Sequence, residues 1–208
     1  MVMGDIKRLI SRLLVRLVNM NENIRDYFDK VAVNYTHDDS QLIEELLDSL
    51  FLTSCHRVLD LGCGKGIISE KLALRNHGEV VALDLSSEML SYAKAKINNE
   101  HVKFVNEDFY QYKDAPFDAI VCFDAYPHFM DVEGFVKKAD ELLKPDGLLA
   151  IIHDCGRGEL NTHHKQHALG VSRQLKSPEE EIKPFLSLFK PIELSEGESF
   201  YKLLLVKK

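Results

Sequence analysis

The chain has 208 residues, of which 45% are hydrophobic and 28% are charged, and its formal net charge is −7. This length and composition are typical of one globular domain with a well-buried core. The acidic balance disfavours a nucleic-acid partner, because proteins that bind a phosphate backbone usually present a basic face.

The cysteine spacing and the hydropathy pattern indicate where in the cell the protein is expected to lie. Cys55, Cys63, Cys122 and Cys155 form no C-x-x-C pair and show no disulfide-like spacing, which predicts free thiols in a reducing cytoplasm. No apolar run of the sequence approaches the about 20 residues that span a bilayer. We therefore predict a cytoplasmic protein without a transmembrane segment.

Helices are predicted before the first strand. Residues 5 to 20 place apolar side chains on one face and Arg8, Arg12 and Arg16 on another. Such a stripe fits a helix that binds a membrane surface or a partner. It also fits a helix that packs on its own domain or on a second copy, and we favour this packing, which allows a homodimer. Residues 42 to 51 form a further helix with its leucines facing inward.

Residues 57 to 74 combine a strand, a glycine turn and the start of a helix. The apolar run from Val58 to Leu61 contains one acid, Asp60, and Gly62, Gly64 and Gly66 follow at alternate positions. Glycine allows a positive φ and lets a ligand approach the main chain. A dinucleotide site requires G-x-G-x-x-G, and Ile67 stands where the third glycine would be, so the turn predicts another ligand.

Further strands are predicted at residues 79–84, 102–105, 117–123 and 148–152, with helices or turns between them. Asp84 and Asp124 end two of these strands, and Asp108 falls just beyond a third. Strands that alternate with helices indicate a parallel sheet covered on both faces. Towards the end of the chain, Ser177 predicts a helix that runs to Phe189, and two closing strands are predicted at residues 191–194 and 200–206.

The Asp60-x-Gly62-x-Gly64-x-Gly66 stretch and the strand-end acids resemble the motifs of class I S-adenosylmethionine (SAM)-dependent methyltransferases of the small-molecule type. The resemblance covers residues 23 to 152 by motif. It implies an α/β fold with a Rossmann-like, doubly wound, seven-stranded sheet, mostly parallel with an antiparallel last strand, plus N-terminal helices. It further implies one compact domain, with a helical cap at residues 1–52 and a SAM-binding core at residues 53–208 that carries a lid insertion at residues 153–176.

The resemblance also implies how SAM is held at the carboxyl ends of the strands. Asp84 is expected to accept hydrogen bonds from both ribose hydroxyls, Asp108 to accept one from the adenine amino group, and Asp60 to orient the methionine ammonium. The full set of expected cofactor contacts is Asp60, Gly62, Cys63, Gly64, Gly66, Asp84, Leu85, Met89, Asp108, Phe109, Phe123 and Asp124.

Residues 117 to 131 are similar to the fourth motif of small-molecule methyltransferases. That motif usually has two adjacent histidines, and here Pro127 replaces one and leaves His128. The stretch lacks the [DNS]-P-P-[YFW] turn of enzymes that methylate adenine or glutamine nitrogens. Tyr126 and His128 are the groups expected to face an acceptor, although a structural hydrogen bond explains His128 equally well.

Two other stretches are candidates for covering the acceptor. Tyr27 and Tyr35 lie in a segment that closes over cofactor and acceptor in the family, or that merely caps the core. Residues 153 to 176 contain His153, His163, His164 and His167. These histidines allow three interpretations: solvated surface residues, an acceptor lid in which His163 or His164 contributes to catalysis, or a transition-metal site formed by His163 and His167, with or without His153.

The expected function is methyl transfer from SAM to a small molecule. An RNA or protein methyltransferase is the alternative within enzymes, and a SAM-binding regulator or inactive homologue is the alternative outside them. A general base is needed only if the acceptor keeps its proton at neutral pH. Methyl transfer does not require a metal, so no metal ligands are predicted.

Overall fold

The computed structural model describes residues 19–37 and 40–208. Most of the amphipathic stretch predicted at residues 5 to 20 lies outside the described residues, as does the homodimer interface predicted from it. Residues 19–31 form helix α1, and a short 3-10 helix follows at Ala32–Asn34. Helix α2, Gln41–Asp48, buries Leu46 and Leu47 as predicted, but it also buries Ile43 whereas Leu42 is only half-buried, and it ends before the predicted residue 51.

Seven strands form one sheet in the part of the chain that is described. They are β1 (Arg57–Leu61), β2 (Glu79–Asp84), β3 (Val102–Asn106), β4 (Phe117–Phe123), β5 (Leu143–His153), β6 (Phe189–Glu196) and β7 (Tyr201–Lys207). Their order is β3-β2-β1-β4-β5-β7-β6. The first five strands pair in parallel, and β7 pairs antiparallel to both β5 and β6. The predicted fold class, with its antiparallel last strand, is confirmed.

Helices cover both faces of this sheet. They are α3 (Ser69–Asn76), α4 (Ser87–Lys96), α5 (Val132–Leu142), α6 (Arg157–His167) and α7 (Pro178–Glu181). Successive residues of a strand point to opposite faces, so Val58 joins the core beneath α2 and α3 while Leu59 joins the core beneath α5. Both side chains are fully buried, and the sheet is therefore sandwiched between two apolar layers.

The last part of the chain differs from the sequence prediction in two places. The helix predicted from Ser177 to Phe189 ends at Glu181 and is followed by a 3-10 helix, Lys183–Phe185. Pro184 explains the interruption, because proline lacks the N–H that would bond four residues back. Residues 157–167, predicted without regular structure, form α6. Its signal is weak because only Leu160 and His164 are buried along it.

The order β3-β2-β1-β4 places a switch point of the sheet between β1 and β4, since the chain runs outward from β1 to β3 before it returns to β4. Ligands of open α/β sheets bind at such a point, beyond the carboxyl ends of the strands. The glycine turn that follows β1 and the residues that follow β4 meet there. The fold thus leads directly to the candidate site.

Candidate functional site

The glycine turn after β1 has an unusual backbone that explains its residues. Gly62, Gly64 and Gly66 all have positive φ, at 73°, 53° and 77°. A Cβ at Gly62 would lie 2.6 Å from the Cβ of Ala125, so this position needs a residue without a side chain. A Cβ at Gly64 would meet nothing within 4 Å. The turn is therefore packed closely on one side and open to a ligand at Gly64.

A cavity of about 550 Å³ lies over this turn, within the range that small-molecule sites occupy. All the expected cofactor contacts line it except Gly66: Asp60, Gly62, Cys63, Gly64, Asp84, Leu85, Met89, Asp108, Phe109, Phe123 and Asp124. A Cβ at Gly66 would lie 2.5 Å from Ile97 Cδ1. Gly66 thus lets α4 approach the turn and does not line the cavity, which corrects the prediction that it is a contact.

Asp84, at the end of β2, is held by the turn that it faces. Its Oδ2 accepts a hydrogen bond from Gly64 N at 2.7 Å and its Oδ1 accepts one from Ser86 N at 2.8 Å. Each carboxylate oxygen has a second lone pair, so both can accept again from a ligand in the cavity. Burial raises the pKa of Asp84 to about 6, against the opposing effect of the backbone hydrogen bonds.

Asp60 is the buried acid of β1. Its Oδ2 accepts a 2.6 Å hydrogen bond from the hydroxyl of Ser69, the first residue of α3. Burial raises the pKa of Asp60 to about 7, and the nearby Asp84 carboxylate adds to the shift. An unpaired buried carboxylate is unfavourable, so a cationic group on a ligand would stabilise its ionised form. This environment suits an ammonium and not a pyrophosphate.

Helix α1 closes the cavity from above through polar contacts with the core. Asn21 donates a 2.7 Å hydrogen bond to Asp108 Oδ2, and Ser86 donates one of 2.6 Å to Asp29. The hydroxyl of Tyr27 donates to the carbonyl of His167 at 3.0 Å. Apolar contacts of Ile24 and its neighbours with Ala168 and Val171 complete the cover. The segment is placed where a lid over the cavity would lie.

A second cavity of about 420 Å³ lies beside the first and shares five of its lining residues: Phe28, Tyr35, Thr36, Asp124 and His128. Its other lining residues are Tyr27, Val31, Asn34, His163, His164 and His167. Tyr27 and Tyr35, the two tyrosines predicted to cover the substrate, both border it. The described lining consists mainly of aromatic rings and imidazoles and contains no lysine or arginine.

His128 borders both cavities in a defined tautomer. Its Nδ1 lies 2.8 Å from the carbonyl oxygen of Val171. A carbonyl can only accept, so Nδ1 carries the hydrogen and Nε2 carries the lone pair. Burial lowers the pKa of His128 to about 3, which keeps the ring neutral. The structure therefore shows the structural hydrogen bond considered from the sequence, and it leaves Nε2 as an acceptor.

Tyr126 does not line either cavity, contrary to the prediction that it faces an acceptor. Its ring is fully buried against Phe135 and Phe185, and its hydroxyl donates to Glu181 at 3.1 Å. Tyr126 and His128 lie in the same 3-10 helix, yet Tyr126 enters the core while His128 borders the two cavities. Tyr126 is a core residue in this fold.

The histidines of α6 form a row beside the second cavity. The rings of His163 and His167 lie 4.8 Å apart, which confirms that they share a helical face. His164 packs against His128 at 4.9 Å, and burial lowers its pKa to about 4. His153 does not join them, because it is buried in β5. His153 therefore adds no ligand to His163 and His167, and a site of all three histidines is not assembled.

The structure instead brings together a group that the sequence did not suggest. His37 Nε2 lies 2.7 Å from Asp124 Oδ2 and 3.6 Å from Asp154 Oδ2. Burial alone would raise the pKa of Asp124, but His153 and His37 outweigh it and hold the pKa below its ordinary value. His37 stands only two residues after Tyr35, and Asp154 directly follows β5. These positions, next to elements already predicted to form the site, were the only indication in the sequence that His37 and Asp154 belong to it.

Comparisons with known proteins find methyltransferases among the proteins that this chain resembles. A family model described as a methyltransferase domain matches residues 59–151. The ubiquinone biosynthesis O-methyltransferase of Xylella fastidiosa (strain 9a5c) is 38% identical over 100 residues, which cover 46% of this chain and 40% of that protein. The malonyl-[acyl-carrier protein] O-methyltransferase of Acetivibrio thermocellus is 30% identical over 131 residues, which cover 60% of this chain and 46% of that protein. The chain thus spans less than half the length of these two relatives.

A solved structure extends the likeness of the fold. The N-methyltransferase NodS from Bradyrhizobium japonicum, in complex with S-adenosylhomocysteine, has a TM-score of 0.68 and 17% identity. The match covers 89% of this chain and 98% of that one. At this identity the likeness concerns the fold, including the N-terminal side of the chain that the family model does not reach. In the described part of the chain, no helix is both long and apolar enough to cross a bilayer.

Proposed function

We propose that this chain, whose residues 59–151 match a family model described as a methyltransferase domain, is a class I SAM-dependent enzyme that transfers a methyl group from SAM to an oxygen of a small molecule. The observation that carries the proposal is the pair of adjoining cavities that share Asp124 and His128. One of them fits SAM, and the other supplies a separate space for an acceptor. Two substrates that react directly need two such spaces in contact.

The residues of the first cavity fit SAM group by group. Asp84 retains two lone pairs for the ribose hydroxyls, and Asp60 lies where an ammonium would offset its buried charge. Leu85, Met89 and Phe109 supply an apolar wall for the adenine ring. A 2′-phosphate on the ribose would be repelled by Asp84. These features favour SAM over a phosphorylated dinucleotide.

Bound SAM would supply a methyl group on a sulfonium leaving group: the O–CH3 bond forms as the S–CH3 bond breaks, the bonding electrons stay on sulfur to give S-adenosylhomocysteine, and the acceptor's proton goes to solvent. The chain's own residues position the acceptor and exclude water. Helix α1 covers both cavities, and His128 Nε2 is available to accept a hydrogen bond from an acceptor hydroxyl. A group with a pKa of about 3 is a poor proton acceptor at neutral pH, so His128 orients the hydroxyl.

The second cavity supports a flat, uncharged or cationic acceptor. Tyr27, Phe28 and Tyr35 offer ring faces and edges for packing, and Asp124 places a carboxylate between the two cavities. Because the described lining lacks lysine and arginine, a phosphate-rich acceptor would be unfavourable there. RNA is therefore the weaker alternative. An oxygen is preferred as the methylated atom because both relatives described above are O-methyltransferases by name.

The test is turnover with methyl-labelled SAM on a panel of phenols and other neutral or cationic hydroxylated compounds, alongside RNA and protein fractions. Transfer of label to a small hydroxylated compound is expected. Binding of SAM without transfer to any member would instead favour a SAM-binding regulator, and labelled RNA or protein would favour the other alternative.

Three predictions from the sequence stay predictions: the homodimer through residues 5 to 20, the cytoplasmic location and the division at residue 53. Sedimentation, localisation and limited proteolysis, respectively, can check them.

A further inference from the structure

His37, Asp124 and Asp154 converge at the edge of the sheet where β4 and β5 end. Each residue can bring one ligand atom within 4.8 Å of the others. The measured separations from His37 Nε2 are 2.7 Å to Asp124 Oδ2 and 3.6 Å to Asp154 Oδ2. Ligands about 2.1 Å from one metal ion lie about 3 Å from each other, so small side-chain shifts suffice to surround an ion. The three side chains are only 16 to 18% exposed.

A fourth residue, His153, lies directly behind this group. His153 is fully buried, and neither of its ring nitrogens makes a hydrogen bond of good geometry. Its Nδ1 lies 3.1 Å from Asp124 Oδ1, outside hydrogen-bonding alignment. Buried polar groups are normally paired. Residues of this kind support metal ligands from behind, because a hydrogen bond to the far oxygen of a ligating carboxylate fixes its orientation.

We propose that His37, Asp124 and Asp154 bind a divalent cation. One imidazole nitrogen and two carboxylate oxygens suit an ion that accepts both ligand types, such as Mn²⁺ or Zn²⁺, better than Mg²⁺, which favours oxygen. The two carboxylates lie next to each other in a half-buried place, and a dication would neutralise their repulsion. His153 would turn slightly to donate to Asp124 and so would hold that ligand in place.

The position of this site gives the cation a role beside the acceptor cavity. Asp124 lines both cavities, and His37 lines the first. A cation held there has coordination positions left for water or for the oxygen of an acceptor. Coordination lowers the pKa of a hydroxyl, which supplies the activation that a neutral, weakly basic His128 cannot. This role rests on the proposed methyl transfer, whereas the binding of the cation does not.

The experiment measures cation binding alone, with neither SAM nor acceptor present. The full chain is first stripped of metal with a chelator. Mn²⁺ binding is then measured from the paramagnetic resonance signal of the free ion, and Zn²⁺ and Mg²⁺ binding is measured by calorimetry. One site per chain is expected, with Mn²⁺ or Zn²⁺ bound more tightly than Mg²⁺. Asp154→Asn and His37→Gln should each weaken the affinity by at least about tenfold.

His167→Gln is the matched control, because this exposed histidine borders the second cavity without facing the three ligands. Its cation affinity should equal that of the unmodified chain. Thermal unfolding and S-adenosylhomocysteine affinity show whether each variant is folded. Asp154→Asn and His37→Gln are both made, so the test still stands if one of them misfolds. Three results would overturn the site: no saturable binding to the unmodified chain, unchanged affinity in either folded ligand variant, or a loss in His167→Gln. A negative cation titration would not change the result expected from the turnover assay. The cation site and the proposed methyl transfer can therefore be refuted independently.

Discussion

Asp84 offers the sharpest prediction, because its carboxylate accepts a hydrogen bond from the glycine turn and is expected to accept two more from SAM. Two ribose hydroxyls would donate to a charged acceptor, and each such hydrogen bond contributes about 1.5 to 3 kcal/mol. Replacement by alanine removes both, together with the support that Asp84 gives to Gly64 N and Ser86 N. Asp84→Ala should therefore weaken SAM binding by more than about 1.4 kcal/mol, which is tenfold, and by about 3 kcal/mol if both bonds form fully.

The control for this prediction is Asp118→Ala. Asp118 also accepts two backbone hydrogen bonds, from His56 N and Arg57 N at 2.9 Å each, but it lies at the opposite end of the sheet. Calorimetry with S-adenosylhomocysteine and thermal unfolding are measured on both variants. Both should lose stability, and only Asp84→Ala should lose affinity. An unchanged affinity in a folded Asp84→Ala protein would remove Asp84 from the site, and NAD binding of similar strength would refute the cofactor assignment.

Three further predictions follow from the same geometry. The raised pKa values of Asp60, about 7, and Asp84, about 6, mean that these two acids bind more protons in the ligand-free fold than in the unfolded chain, so their contribution to stability should fall as pH rises from about 4 to 7. SAM affinity should rise over the same window because SAM favours both ionised acids, and a flat profile by calorimetry would contradict this. Hydrogen exchange of residues 23–37 should slow when S-adenosylhomocysteine binds, since α1 covers the cavity, and equal protection would make it a plain structural helix. Alanine at His163 and at His164 should reduce turnover with SAM affinity nearly intact, and unchanged turnover would remove these histidines from the acceptor site.

The sheet and the cofactor wall could be predicted because their signals are local. A buried strand, a turn that needs positive φ at Gly62 and Gly64, and an acid at the end of the next strand all lie within 30 residues. Because these strands are parallel and adjacent, the glycine turn and the strand-end acid lie together at one edge of the sheet. Sequence periodicity also identified Leu46 and Leu47 as buried residues of α2, although it missed Ile43.

The acceptor side could not be predicted in the same way because it depends on contacts between distant segments. Tyr126 and His128 are two residues apart, yet one enters the core and the other borders the cavities. Helix α6 has only two buried residues, so periodicity gave no signal for it. His37 and Asp154 are far apart in the chain, and only the closure of the N-terminal segment over the end of β5 brings them together.

The most direct test of the central claim is calorimetric titration of the full chain with S-adenosylhomocysteine and, separately, with NAD. The account predicts saturable binding of one S-adenosylhomocysteine per chain, lost by more than tenfold in Asp84→Ala, and no comparable binding of NAD. Absence of S-adenosylhomocysteine binding to a folded chain, or equal binding of NAD, would contradict it.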